Sequence, residues 1–217
     1  MSTPRRSFLG RLGALLALGA TPATLAAAVG DAPTGRAPTG APEFAPDERW
    51  LESLAQREQR IIIETGIISD ALAVRRALNF LDVNNADYST PDGRLGVAVG
   101  MHSAALAMIL GDAIWAKYAL GTRFDVKTPQ GAPATANPFR AGGASSIETM
   151  YARGVHFLAC NRSLMRLGRD LAGPGGNGAA VHTELLAGVL PQVVVVPAMV
   201  VALSRAQVRG VPYMSVA

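Results

Sequence analysis

The stretch GVHFLACNRSLMRLG, residues 154–168, decides the fold of this chain. Its first half is a short apolar run, 155–159, which is typical of a strand buried on both faces. Its second half predicts a helix over 161–172, because apolar residues recur there at three- and four-residue spacing. Cys160, the single cysteine of the 217 residues, lies at the junction between strand and helix.

The same alternation continues on both sides of this stretch. Apolar and β-branched runs predict the further strands 61–63, 95–99, 193–196 and 211–216. Helical spacing predicts the further helices 47–60, 71–83, 102–120, 147–153, 179–186 and 197–207, with Pro197 as a first helical residue. Strands that alternate with helices, without period-two hairpins, indicate an α/β fold with a parallel sheet of four or five strands covered on both faces.

The first 28 residues have the layout of an export signal. Arg5 and Arg6 precede Phe8 and a moderately apolar stretch, 12–25, and small residues close the segment at 26–28. This order is typical of a secretory signal peptide, and the paired arginines resemble the twin-arginine type. The apolar stretch is short and interrupted by Gly and Pro, so a membrane span is disfavoured. We therefore expect export through the twin-arginine translocase, a periplasmic location and a mature form that does not span the membrane.

The remaining chain divides into a linker and one domain. Residues 29–46 are rich in Pro, Gly, Ala and Thr and lack periodicity, which predicts a flexible linker. Residues 47–217 suit a single domain with its own core. The net charge of +4 includes three arginines of the signal, and without them 17 basic residues face 16 acidic ones. Such a balanced charge gives no indication of nucleic acid as a partner.

Several motifs favour structural interpretations. GPGGNG, 173–178, spells a dinucleotide-binding pattern, but it follows a helix instead of a strand, so a helix end and a loop are favoured. The Pro- and Gly-rich region 122–145 predicts a long loop. Asp112 is expected to pair with Lys117 or to cap nearby groups. A single cysteine also excludes an intramolecular disulfide and any cysteine-cluster zinc site.

Three histidines remain as candidates. His156, inside an apolar strand, is expected to be packed and hydrogen-bonded, and His182 is expected at a surface or interface. Their spacing forms no paired metal motif, so no metal site is predicted. His102 directly follows LGVAVGM, 95–101, so it lies at the carboxyl end of a predicted strand. Ligands in open parallel sheets bind beyond the carboxyl ends of strands. His102 is therefore a candidate for lining a site.

Cys160 has two interpretations from position alone. Free cysteines are among the most buried residues and often only pack. Against this, a thiol between a strand and the helix that begins at Asn161 would face the helix's first amides, and Arg162 would add positive charge. Both groups would stabilise a thiolate, which is the reactive form of cysteine, so Asn161 and Arg162 are the predicted thiolate-stabilising residues. Position leaves the two interpretations open.

Five segments together resemble the DsrE/DsrF-like sulfur-relay family, and most closely its exported members with twin-arginine signals. The segments are RRALNFLDVNNADY (75–88), LGVAVGMHSAAL (95–106), LGDAIWAKYALG (110–121), YARGVHFLACNRSL (151–164) and GVLPQVVVVPAMVVALSRAQVRGVPYMSV (188–216). The likeness runs from about residue 58 to the C-terminus. It implies a three-layer α/β sandwich with a mainly parallel sheet of about five strands.

The resemblance also implies a function. Family members carry sulfur as a persulfide on a cysteine near a strand end, a role that falls here on Cys160, with His102 lining the same pocket. It implies a homo-oligomer, no cofactor, and a small sulfur compound or a thiol protein as partner. The chain departs from the family in its predicted periplasmic location and in lacking a second cysteine. The alternative is a non-catalytic periplasmic ligand-binding or assembly module in which Cys160 only packs.

Overall fold

Five parallel strands form the central sheet of the computed structural model, which describes residues 47–216. The strands are β1 (Gln59–Thr65), β2 (Leu95–Met101), β3 (His156–Cys160), β4 (Val193–Val196) and β5 (Tyr213–Val216). They lie in the order β4-β3-β2-β1-β5, and every neighbouring pair is parallel. The predicted α/β fold with a parallel sheet of about five strands is confirmed.

Helices cover both faces of this sheet. They are α1 (Arg49–Ala55), α2 (Leu72–Asp87), α3 (Asp112–Lys117), α4 (Leu120–Arg123), α5 (Ile147–Ala152), α6 (Asn161–Ala172), α7 (Gly178–Ala187) and α8 (Met199–Val208). Short 3-10 turns occupy Ser69–Ala71, Asp92–Arg94 and Ser103–Ile109. The described chain is thus a three-layer sandwich, as the sequence predicted.

Strand alternation builds a separate apolar core on each face. Val97, Val99 and Phe157 point to the face that carries α2, α5, α6 and α7. Ile62 and Leu158, from alternate positions of β1 and β3, point to the opposite face, where α1 and α8 pack. Because consecutive side chains of a strand point to opposite faces, β1, β2, β3 and β4 contribute to both cores.

The handedness of the crossovers explains why α8 lies apart from the other connecting helices. The chain moves from β1 through β2 and β3 to β4 in one direction across the sheet, so right-handed connections keep their helices on one face. From β4 it returns to β5 at the far edge, and a right-handed return places α8 on the other face.

The predicted single helix 102–120 is wrong. A 3-10 turn, Ser103–Ile109, is followed by Leu110, which is extended and bridges to Val189, and only then by α3 and α4. This segment is apolar on all sides because it is buried on all sides, with residues 105–110 fully inaccessible. Apolar composition of that kind does not distinguish one long helix from several buried short pieces.

Smaller predictions have mixed outcomes. GPGGNG is the connection between α6 and α7, with Gly173 at the end of one helix and Asn177 capping the next, which confirms the structural interpretation. The helix predicted to start at Pro197 begins at Met199 instead. The long loop after α4 is confirmed, and buried Asn137 fixes it by donating to the carbonyls of Met108 and Leu110, both at 2.8 Å.

The export signal lies outside the described residues. This applies to 1–28, with Arg5 and Arg6, and to the linker 29–46, so their roles stay predictions. Within 47–216, none of the helices combines the length and the apolar character needed to cross a bilayer.

Candidate functional site

The carboxyl ends of β3 and β4 form a topological switch point. The connection after β3 leads to α6 on one face, whereas the connection after β4 leads to α8 on the other face. Adjacent connections that diverge in this way open a crevice at the carboxyl edge of a parallel sheet, where ligands bind in open α/β folds. Cys160 ends β3 and pairs in register with Val196, which ends β4. The thiol therefore lies at the position that the fold itself favours for a site.

Cys160 is almost fully buried, with 5% of its surface exposed. Its Sγ accepts a hydrogen bond from the backbone N–H of Met199, the first residue of α8, at 3.3 Å. An N–H at the start of a helix carries partial positive charge, and this one is directed at the sulfur. The sequence predicted that the sulfur would face the N-terminus of the helix that follows it, but the helix whose N-terminus contacts the sulfur is α8. The expected contact with α6 is wrong, because Cys160 makes no side-chain cap bond to the helix that follows it.

The two residues predicted to support the thiolate face elsewhere. Asn161 Oδ1 lies 2.7 Å from Nε2 of His182, so this side chain is engaged with α7. Arg162 lines a separate cleft together with Ser103 and other residues. The strand reverses direction into α6 after Cys160, and the first turn of that helix turns both side chains away from the face that carries the sulfur.

His102 directly follows β2 and has partners at both ring nitrogens. Nε2 makes a short contact with Oε1 of Glu64, and Nδ1 lies 3.0 Å from Oγ of Ser103. The side chains of His102 and Glu64 are 28% and 15% exposed, so the pair is largely shielded from solvent. The backbone N–H of His102 donates to Thr65 at 3.1 Å. These contacts hold the ring at the carboxyl edge of β1 and β2.

The register brings His102 and Cys160 together at this edge. Met101 pairs with Ala159, so one residue further on His102 lies beside Cys160 on neighbouring strands. The two residues were predicted to line one pocket; the register puts them at adjacent strand ends, and the shared pocket stays a prediction. Because both ring nitrogens of His102 already have partners, the ring reaches a ligand at the sulfur only if one of those contacts opens.

Two glycines make the close packing of this site possible. A Cβ on Gly66 would lie 2.7 Å from Cε1 of the His102 ring. A Cβ on Gly100 would lie 2.5 Å from Sδ of Met199, so the Met199 side chain crosses directly over β2. Met199 thus places its amide on the Cys160 sulfur and its thioether over the neighbouring strand. Both glycines are needed here because any side chain would displace a residue of the site.

Glu64 is the member of the site that sequence reasoning missed. It interrupts the run IIIET, 61–65, as the single charged residue directly before the strand ends. A carboxylate at the end of an otherwise apolar buried strand is a usable signal, because burial of a charge is unfavourable without a partner. The strand-end rule that selected His102 applies equally to this residue.

The other polar candidates lie away from the site. His156 begins β3 and is therefore at the opposite edge; burial lowers its pKa, and nearby Arg57 lowers it further. Asp112 contacts Arg140 at 3.1 Å, and Lys117 contacts Glu184 at 2.6 Å, so the expected pairing of Asp112 with Lys117 is wrong. The alternative expectation, that Asp112 caps a nearby group, is confirmed, because its Oδ1 accepts a hydrogen bond from the backbone N–H of Asn137 at 2.9 Å. Residues 47–216 contain no group of three His, Cys, Asp or Glu side chains that could hold a metal ion.

Comparison with known proteins assigns no family. No family model matches the chain, and no curated protein matches it. A solved structure, that of the protein of unknown function MTH1491 from Methanobacterium thermoautotrophicum, matches with 15% identity and a TM-score of 0.44. The match covers 73% of this chain and all of that one. The molecule is thus an α/β protein with a parallel sheet and a buried thiol at a switch point, and its resemblance to the DsrE/DsrF-like family stays a prediction.

Proposed function

We propose that this protein accepts and hands on sulfane sulfur through Cys160. The observation that carries the proposal is the position of its Sγ, at the switch point of the sheet and 3.3 Å from the first N–H of α8. Sulfur chemistry requires a thiolate, and a helix N-terminus is one of the environments that stabilise it. The sequence resemblance to a sulfur-relay family supports the same conclusion.

The proposed step is an exchange at sulfur. The Cys160 thiolate attacks the outer sulfur of a donor such as thiosulfate, and a new S–S bond forms at Cys160. The sulfur–sulfur bond of thiosulfate breaks, and sulfite leaves with the bonding electron pair. With a persulfide donor, a thiolate leaves instead and takes up one proton. An acceptor thiolate then attacks the outer sulfur and releases the Cys160 thiolate, so no external oxidant is required.

His102 and Glu64 supply the proton handling in this proposal. His102 lies beside Cys160 at the strand ends, and Glu64 holds its Nε2. When the contact with Ser103 opens, Nδ1 becomes able to donate a proton to a leaving thiolate. Glu64 contacts Nε2 and orients the ring, so we assign Glu64 a positioning role.

The burial of Cys160 restricts the donor. With 5% of the residue exposed, the sulfur is accessible to a small ion or a short polysulfide before it is accessible to a protein thiol. Transfer to a protein partner requires that the first turn of α8 move away from the sulfur, since Met199 contacts it directly. A periplasmic partner is part of the proposal because the predicted signal directs the chain there.

One observation favours the alternative, a ligand-binding or assembly module in which Cys160 packs. Cys160 belongs to the apolar cluster of the α1/α8 face, with Leu158, Val196 and Met199. Exposed apolar side chains on α8 and the β5 edge strand suit assembly into a homo-oligomer. They are Val200, Val201, Val208, Tyr213 and Met214.

Mass spectrometry separates the two proposals. After incubation with thiosulfate or polysulfide, the protein is expected to gain the mass of added sulfur at Cys160, and Cys160→Ala is expected to gain none. His102→Gln should slow the gain without lowering its final extent, because the thiol itself is unchanged. A thiol that stays unmodified, and that iodoacetamide reaches only after denaturation, contradicts the carrier and supports the packing role.

Export is tested separately. The double substitution Arg5→Lys and Arg6→Lys is expected to abolish accumulation of the protein in the periplasm, because twin-arginine recognition depends on the pair. Cell fractionation measures the outcome. Unchanged periplasmic accumulation of the double variant contradicts the twin-arginine route.

A further inference from the structure

We infer that a second site, an arginine-lined cleft beside α6, binds a small molecule that carries a tetrahedral oxyanion group. The cleft has a volume of about 470 Å³ and is lined by Arg123, Arg162 and Arg166. This volume lies within the range of small-molecule pockets. Cys160 does not line the cleft, so the inference holds whether or not the protein carries sulfur.

The three arginines converge from two helices. Arg162 and Arg166 are one turn apart on α6, so their side chains emerge from the same face of the helix. Arg123 is the last residue of α4, where its guanidinium carbon lies 5.8 Å from the centre of the Phe124 ring, another residue of the cleft. Like charges four residues apart on a helix are unfavourable unless a counter-charge lies between them.

Within the described chain, none of the three arginines of the cleft is neutralised by a close ion pair. Among residues 47–216, Arg94, Arg153 and Arg205 each form a close ion pair, whereas the three arginines of the cleft form none within 4.0 Å. One carboxylate, Asp170, also lines the cleft, and it too has no ion pair among these residues. Three guanidinium groups against one carboxylate leave the cleft with a net positive charge.

Neutral donors complete the site. Ser103 and Ser163 line the same cleft, and each carries a hydroxyl group that can donate to an anion. Guanidinium forks match the geometry of phosphate-type and sulfonate-type oxygens. Ser103 Oγ also lies 3.0 Å from Nδ1 of His102, so a ligand in the cleft would touch the residue that holds this ring.

Nuclear magnetic resonance of the arginine side chains tests the inference in the full chain. The Nε–H resonances of the three cleft arginines are expected to shift and saturate on titration with thiosulfate or inorganic phosphate, at constant ionic strength set by chloride. The double variant Arg162→Gln and Arg166→Gln should weaken binding at least tenfold. Stronger binding of thiosulfate would indicate a sulfur oxyanion as the natural ligand, and stronger binding of phosphate a phosphorylated compound.

Two control variants make the result specific. Arg169→Gln removes a guanidinium of the same helix that lines a different cleft, so it should leave the affinity unchanged. Cys160→Ala should bind the anion as the parent does, which separates this site from the proposed sulfur chemistry. Shifts that do not saturate, or that are equally large at Arg169, would show only general anion attraction and overturn the inference. A variant that loses sulfur loading but still binds the anion supports the inferred anion site.

Discussion

A single methyl group at Gly66 tests the geometry of the candidate site most directly. In Gly66→Ala, the added Cβ would lie 2.7 Å from Cε1 of His102, whereas ordinary contacts of a Cβ begin at 3.4 Å. The ring must therefore retreat by roughly 0.7 Å. A displacement of this size is enough to move its 3.0 Å contact with Ser103 Oγ out of hydrogen-bond range.

The expected cost follows from the surroundings of the ring. Overpacking a well-packed site costs about 1–3 kcal/mol. The His102 side chain is 28% exposed and has room to move, so we expect the lower half of this range, about 1–2 kcal/mol. Replacing Gly by Ala also restricts the unfolded chain, which stabilises by about 0.4–1 kcal/mol. The matched control is Gly93→Ala, because a Cβ at Gly93 meets no atom within 4 Å.

Two measurements decide the outcome. Urea denaturation should show Gly66→Ala to be about 1–2 kcal/mol less stable than Gly93→Ala. The ring resonances of His102 should shift in the first variant and stay unchanged in the second. If sulfur is carried on Cys160, its loading should also slow in Gly66→Ala. Equal stability of the two variants, with unchanged His102 resonances, would refute the placement of the ring against Gly66.

Three further predictions concern stability. Gly121→Ala should cost about 3 kcal/mol in urea denaturation, because the new methyl would lie 2.1 Å from the backbone oxygen of Ala134, which has no rotamer to change; a near-neutral variant contradicts the packing. A hydrogen bond from Arg153 lowers the pKa of Asp92 in the folded protein, so the contribution of this pair to the free energy of unfolding is present above about pH 4 and is lost as the pH falls through that lowered pKa. Asp92→Asn should therefore flatten the loss of stability measured below about pH 4. Burial lowers the pKa of His156, so stability should fall as the pH drops below about 6.5, and His156→Gln should remove this slope between pH 5 and 8.

The sequence determined the architecture because the relevant signals are local. Short apolar strands that alternate with helices indicated a parallel sheet, and the stretch 154–168 folds as predicted, into β3, the thiol and α6. The strand-end rule selected His102, and the junction of strand and helix selected Cys160; the register puts the two residues at adjacent strand ends. Local signals failed at 102–120, where complete burial of residues 105–110 removed the periodicity that would have distinguished 3-10 turns from one helix.

Only the tertiary structure decided what surrounds the thiol. The nearest helix in sequence, α6, directs Asn161 to His182 and Arg162 into the arginine cleft. The amide at the Cys160 sulfur belongs to Met199, 39 residues further on, because the chain returns across the sheet and places α8 on the face to which Cys160 points. A contact of this range depends on strand order and crossover hand, which spacing within a short segment does not encode.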